Sequence, residues 1–181
     1  MKQATPTIQS RRFVLRKLER ADAAALLPTF ADPASMLWWS RAPFKSEAEL
    51  ADWLVPESGW DEGRSWVIVQ RDGGPALGRV AVMDRGDDVA ELAYVVVHTR
   101  RQEGIAREAL GILIGHLIHT DQKRRLYADV DPDNVSSNRL LSTLGFTLEG
   151  RLREHWTTHI GRRDSLIWGL LANEWPDKIA R

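Results

Sequence analysis

The sequence predicts one α/β domain of the α+β kind, a mixed but mostly antiparallel central sheet with flanking helices, and three observations carry that expectation. Apolar runs at residues 64–70, 76–83 and 89–97 are separated by Asp72-Gly73-Gly74 and by a second turn around Gly86, which reads as consecutive antiparallel strands. Directly after them Ile105, Ala109, Ile112 or Leu113, and Leu117 form one stripe of a helix over residues 105–119. At 181 residues, with 43% apolar and 28% charged side chains, the chain has the size and composition of a single domain spanning 1–181.

Taken in order, residues 7–18 alternate around Phe13 and Leu15 and predict a first strand. Asp22 offers an N-cap or a first-turn acid for a helix over residues 23–30, which Asp32-Pro33 ends. Residues 34–39 can form a further turn or two. Ser46 with Glu49 three positions later predicts a capping box on a helix that runs to Leu54 and stops before Pro56. The three antiparallel strands and the 105–119 helix follow, with Gly111 and Gly115 implying close packing against a neighbour. A short strand at 125–130, a turn at 131–134, a helix over 136–144 stopped by Gly145, and strands at 146–156 and 165–172 joined through residues 159–162 complete the chain.

The composition excludes several classes of function. With 25 basic and 25 acidic residues the formal net charge is zero, so no global field recruits nucleic acid or an anionic membrane. The absence of cysteine removes disulfides, thiolate metal sites and a cysteine nucleophile, and fits a reducing compartment. No apolar run has the length of a signal peptide core or a membrane span, so the expected location is cytoplasmic. No metal is expected. Asp129, Asp131 and Asp133 imitate the start of an EF-hand loop, but Asn134 and Leu140 stand where glycine and glutamate are required. His116 and His119 lack the H-E-x-x-H pattern.

The functional signal begins at residues 91–106, ELAYVVVHTRRQEGIA, an apolar strand, a basic bend and a glycine-opened helix. N–H groups at a helix start have no intrahelical partner and sit at the positive end of the macrodipole, so this turn beside Arg100 and Arg101 suits a phosphate. Neither G-x-x-x-x-G-K-[ST] nor G-x-G-x-x-G after a strand is present. The spacing Arg101-x-x-Gly104-x-Ala106 resembles instead the [RQ]-x-x-G-x-[GA] pyrophosphate loop of the GNAT N-acyltransferase superfamily, which binds acetyl-CoA. A second segment, from Asn134 through Ser137, Asn138 and Leu141 to Gly145-Phe146, resembles that superfamily's N-x-x-[AS] helix ending in G-F. Residues 149–154 and 164–171, with Phe13-Val14-Leu15-Arg16 and Trp38-Trp39-Ser40, extend the likeness over nearly the whole chain. They look like the Rim-type branch, which acetylates N-terminal amines of ribosomal proteins.

The resemblance implies a GNAT fold splayed between its fourth and fifth strands, acetyl-CoA as co-substrate, and a primary-amine acceptor, either a protein N-terminus or a small molecule, with a homodimer left open. The implied co-substrate contacts are main-chain groups of Tyr94, Val95, Val96 and Val97, the loop of Arg100, Arg101, Gln102, Glu103, Gly104, Ile105 and Ala106, and the side chains of Asn134, Ser137 and Asn138. Two positions depart from the pattern. Gln102 stands where many members carry glycine, and Leu141 where many carry the tyrosine that protonates the departing thiolate, so Ser137 or water is the proton source. Glu91 is the candidate base and also reads as a solvated strand carboxylate. An N-terminal amine of pKa about 7.7 to 8.0 asks little of a base. Trp38 and Trp39 wall the acceptor groove or join the core. The rival readings are an aminoglycoside, polyamine or amino-acid acetyltransferase, and an acyl-CoA sensor without turnover.

Overall fold

The computed structural model describes residues 4–56 and 63–176, so Trp60 lies outside the described residues. One eight-stranded sheet organises them. Its strands are β1 (Ile8–Gln9), β2 (Phe13–Lys17), β3 (Gly63–Gln70), β4 (Gly78–Asp84), β5 (Val89–Val96), β6 (Arg125–Val130), β7 (Thr147–Thr158) and β8 (Gly161–Leu171). Helices α1 (Ala23–Phe30), α2 (Pro33–Met36), α3 (Glu47–Leu54), α4 (Ile105–His119) and α5 (Val135–Thr143) complete it. The spatial order is β1-β2-β3-β4-β5-β6-β8-β7.

Every neighbouring pair in this sheet is antiparallel except β5 and β6. A parallel pair needs a crossover, which α4 supplies. β5 and β6 pair only at Val89–Arg125, Ala90–Leu126 and Glu91–Tyr127, after which β5 continues to Val96 and β6 to Val130 without pairing. The expected splay is therefore present.

Both faces of the sheet are covered at β3 to β5, which explains their apolar runs, while β7 is exposed along nearly its whole length. In β3, Trp66 and Ile68 join the core under α4 and α5, while Val67 and Val69 join the core under α1–α3. This is the two-residue alternation of a strand. The predicted α4 stripe is buried at Ile105, Ala109, Leu113 and Leu117, with Leu110 and Ile114 beside it, while Ile112 is partly exposed. A Cβ on Gly115 would come 3.8 Å from the Trp175 indole nitrogen, so this glycine admits a close neighbour. Among the described residues no helix is long and apolar enough to cross a membrane.

Several boundaries differ from expectation. The first strand is two short ones, because Ser10 N–H donates to the Phe13 carbonyl at 2.8 Å while Phe13 N–H donates to Ser10 Oγ at 2.9 Å, which folds the chain back. Asp22 does not cap α1 with its side chain. Its carboxylate accepts two bonds from Arg16 and one from the Glu19 N–H. Ser46 caps α3 through the Glu49 N–H, but Glu49 turns to Arg41 and the Lys45 N–H and does not close the box on Ser46. The 165–172 strand begins earlier, at Gly161, and Arg162 belongs to it.

Candidate active site

At the anion loop, a turn of 3-10 helix at His98–Arg100 leads into α4, and the backbone turns left-handed twice, at Gln102 (φ 66°) and Gly104 (φ 76°). Gln102 thus adopts the conformation that glycine reaches at lower cost, with its side chain exposed. Gly104 is the N-cap of α4 and offers no side chain to its first N–H groups. A Cβ there would meet only Arg12 Nη2, at 3.9 Å. An uncapped, open helix start of this kind accepts a phosphate, and the main-chain groups of Ile105 and Ala106 belong to that first turn.

Three cations surround the loop. Arg100 makes two bonds to the Glu103 carboxylate, at 2.7 and 2.8 Å, and this holds Glu103 below the usual carboxylate range. Both side chains are substantially exposed, so the pair is weak and an incoming phosphate can compete for Arg100. Arg101 Nη2 donates to Ser35 Oγ at 2.9 Å, tying the loop to α2. The third cation, Arg12, donates to the Glu103 carbonyl at 2.9 Å. Sequence reasoning missed Arg12, since nothing local connects it to a loop 91 residues away.

Within the splay, the expected donors Tyr94, Val95, Val96 and Val97 divide by strand alternation. Val97 N–H donates to the Leu77 carbonyl, and a Cβ on Gly78 would come within 2.4 Å of the Val95 carbonyl oxygen, so Val95 and Val97 turn their main-chain groups toward β4. The N–H groups of Tyr94 and Val96 therefore point to the open side. Val95 and Val97 have no donor to offer there.

The Tyr94 side chain crosses the splay to α5, where its hydroxyl lies 2.5 Å from Ser137 Oγ. Burial pushes the phenol up to about 12, with the Ser137 bond acting in the opposite direction. The cap of α5 is Asn134, whose Oδ1 accepts from the Ser137 N–H and from Ser136 Oγ. Ser137 is therefore not a side-chain cap, and its hydroxyl is directed at Tyr94. Asn138, an implied co-substrate contact, uses its amide within the fold. Its Nδ2 donates to the carbonyls of Asp131, Pro132 and Asn134, and its Oδ1 accepts from Trp168 Nε1, so the amide is fully engaged within the fold.

On the α1–α3 side the splay opens into a cleft of about 300 Å³ whose lining includes Trp38, Trp39, Glu91, Asp129 and Trp156. Glu91 sits at the last β5–β6 pair, and its Oε2 accepts from Arg85 Nη2 (2.6 Å) and Nε (3.0 Å) and from the Tyr127 hydroxyl (3.0 Å). Its charge is thus already matched. Trp39 packs edge-on against Phe30 and Trp53, while the Arg163 guanidinium lies 5.4 Å from the Trp38 ring and also pairs with Asp131 and Asp133. His159, in the β7–β8 turn, contacts the Trp39 carbonyl at 3.2 Å and ties that turn to the segment that carries the tryptophans. Trp39 serves both core and wall.

The arrangement brings together an uncapped helix start beside three arginines, open main-chain donors, a buried hydroxyl pair and an aromatic cleft with carboxylates. The family model described as "Acetyltransferase (GNAT) domain" matches residues 12–147. Uncharacterized N-acetyltransferase p20 of Bacillus licheniformis is 26% identical over 174 residues, 93% of this chain and 98% of that protein. Spermidine N(1)-acetyltransferase of Escherichia coli K12 is 25% identical over 139 residues, 76% of this chain and 74% of that protein. Among solved structures, Mycobacterium smegmatis RimJ in complex with CoA-disulfide superposes with a TM-score of 0.83 at 25% identity, over 97% of this chain and 92% of that one.

Proposed function

The chain belongs to the GNAT acetyltransferase family, and from that premise we propose that it moves an acetyl group from acetyl-CoA to one primary amine in the cytoplasm, with a peptide or protein N-terminus as acceptor. Acetyl-CoA supplies the acyl group as an activated thioester. The start of α4, with Arg12, Arg100 and Arg101, binds its phosphates. The open N–H groups of Tyr94 and Val96 fit a carbonyl oxygen on which negative charge develops, and a fixed donor there lowers the barrier without reorganising. Tyr94 and Ser137 together hold a proton for the departing sulfur, taking the place of a tyrosine at position 141. The splay carries this reading, because it opens main-chain donors in the middle of an otherwise paired sheet.

The charge pattern favours an acceptor with a single ammonium. Glu91 is matched by Arg85, Asp131 by Arg163 and Asp164 by Arg151, which leaves Asp129 as the cleft carboxylate with no arginine or lysine partner among the described residues. A polyamine would bring several charges to a cleft with one such carboxylate. The tryptophan walls suit the apolar side chain of a first residue. A second reading is a small monoamine, which a cleft of about 300 Å³ also accommodates.

Release of CoA, followed with a thiol reagent, tests both readings. Peptides with a free N-terminus are expected to release CoA and their N-blocked counterparts not. Release with polyamines or aminoglycosides alone would overturn the N-terminal assignment, and release with no amine would overturn acetyl transfer.

A further inference from the structure

β7 and β8 pair at Leu152–Ser165 and next at Trp156–Arg163, so Arg153, Glu154 and His155 stand opposite the single residue Asp164. Such a bulge breaks the alternation of a strand and can re-aim side chains beside a site. Glu154 takes a φ of 50°, unusual for a residue with a Cβ, and its N–H is held by Asp164 Oδ1 at 2.8 Å. The consequence is that consecutive residues reach the same carboxylate. Trp156 Nε1 donates to Asp129 Oδ2 at 2.8 Å, and His155 Nδ1 lies 3.3 Å from that oxygen and 3.1 Å from Ser165 Oγ. The two rings are 5.1 Å apart.

Asp129 is 12% exposed, and its partners are an indole N–H and His155. A carboxylate oxygen and a hydroxyl at these distances both suit a proton on Nδ1, which leaves the lone pair on Nε2. Nε2 bonds to none of the described residues, and the ring is 38% exposed. The ring lies against three residues that line the acceptor cleft, Asp129, Trp156 and Ser165, and is itself outside that lining, so Nε2 reaches the cleft through water. Glu91, by contrast, has its Oε2 occupied by Arg85 and Tyr127.

We infer that His155 Nε2 is the base that takes the proton of the acceptor amine, with Asp129 and Ser165 positioning the ring, a role that rests on the acetyl transfer proposed above. As the amine nitrogen bonds to the acyl carbon and the carbon–sulfur bond breaks, the nitrogen's proton passes through that water to His155 Nε2. The sulfur receives its proton from the Tyr94–Ser137 side. The imidazolium then returns its proton to water, and the Tyr94–Ser137 pair regains one from water.

Two readouts on the full chain keep the possible failures apart. Nitrogen-15 NMR of the histidine rings, recorded without acceptor, is expected to find neutral His155 as the Nδ1–H tautomer; the Nε2–H tautomer would overturn the proposal whatever the acceptor. With an amine that the wild type acetylates, His155→Gln is expected to lower kcat about 10²- to 10⁴-fold, with acetyl-CoA affinity unchanged and part of the rate restored by added imidazole. Asp129→Asn is expected to lower kcat by a smaller factor. A His155→Gln chain that binds acetyl-CoA and keeps kcat within about twofold of wild type would refute the assignment. If the wild type acetylates no amine, acetyl transfer fails and this role falls with it, whatever the tautomer.

Discussion

Replacing Tyr94 by phenylalanine removes one oxygen from the middle of the splay, and its effect can be worked out from the geometry. The phenol lies 2.5 Å from Ser137 Oγ, and burial raises it to about 12. At pH 7 about one phenol in 10⁵ is ionised, so the pair holds its proton. In the resting protein the bond joins two neutral groups and is worth about 1 kcal/mol, which for a chain of this size lowers Tm by about 2–4 °C. In the transition state the same hydroxyls face a sulfur gaining negative charge. A charge-assisted bond is worth about 1.5–3 kcal/mol, or about 10- to 150-fold in rate. Tyr94→Phe is therefore expected to lose far more in single-turnover acetylation than in stability, with acetyl-CoA affinity nearly unchanged. A normal chemical step in both Tyr94→Phe and Ser137→Ala would refute the reasoning and leave water as the proton source. The same residue also gives a pH dependence. A group raised from 10.0 to about 12 contributes stability that is present below pH 10 and is lost as pH rises toward 12. Denaturant midpoints across that window are expected to fall more steeply in the wild type than in Tyr94→Phe.

Three further substitutions test other parts of the frame. Gly104→Asp places a Cβ at φ 76° and a carboxylate beside the phosphate-binding N–H groups, so calorimetry is expected to find acetyl-CoA affinity reduced at least about tenfold. An unchanged affinity in a folded chain would remove the loop from the binding site. Asn138→Ala strands Trp168 Nε1 and the loop carbonyls, which is expected to cost about 1–3 kcal/mol in urea unfolding while acetyl-CoA affinity stays within about twofold. The opposite pattern would make Asn138 a ligand. Gly78→Ala drives a methyl to 2.4 Å from the Val95 carbonyl oxygen, and main chain cannot yield as a side chain can, so a loss of about 1–3 kcal/mol is expected in the same assay.

The parts of the fold legible in the sequence are those fixed by local pattern under two-sided burial. Trp66 and Ile68 against Val67 and Val69 mark a central strand, and the spacing of Ile105, Ala109, Leu113 and Leu117 marks the helix that crosses to β6. The break in the first strand was not legible, because it depends on Ser10 bonding back to Phe13, which the alternation of Phe13 and Leu15 does not disclose. The bulge in β7 was hidden for a related reason. Glu154 has no local preference for positive φ, and what holds it is Asp164, ten residues later on the neighbouring strand.

The site divides along the same line. The loop from Arg101 to Ala106 could be read because a helix start, a glycine and a basic bend lie next to one another in sequence, and anion binding follows from main-chain geometry alone. Tyr94 could be named only for its N–H, since its phenol acquires a partner 43 residues away once α5 folds against the splay. In the sequence Asp129 reads as part of a false calcium loop, because its neighbours there are Asp131 and Asp133. In space Arg163 draws those two aside, while Trp156, 27 residues on, and His155 close over Asp129. Three carboxylates that look equivalent in the sequence are thus divided by one arginine into two paired residues and one left with an imidazole, a difference that exists only after β6, β7 and β8 have come together.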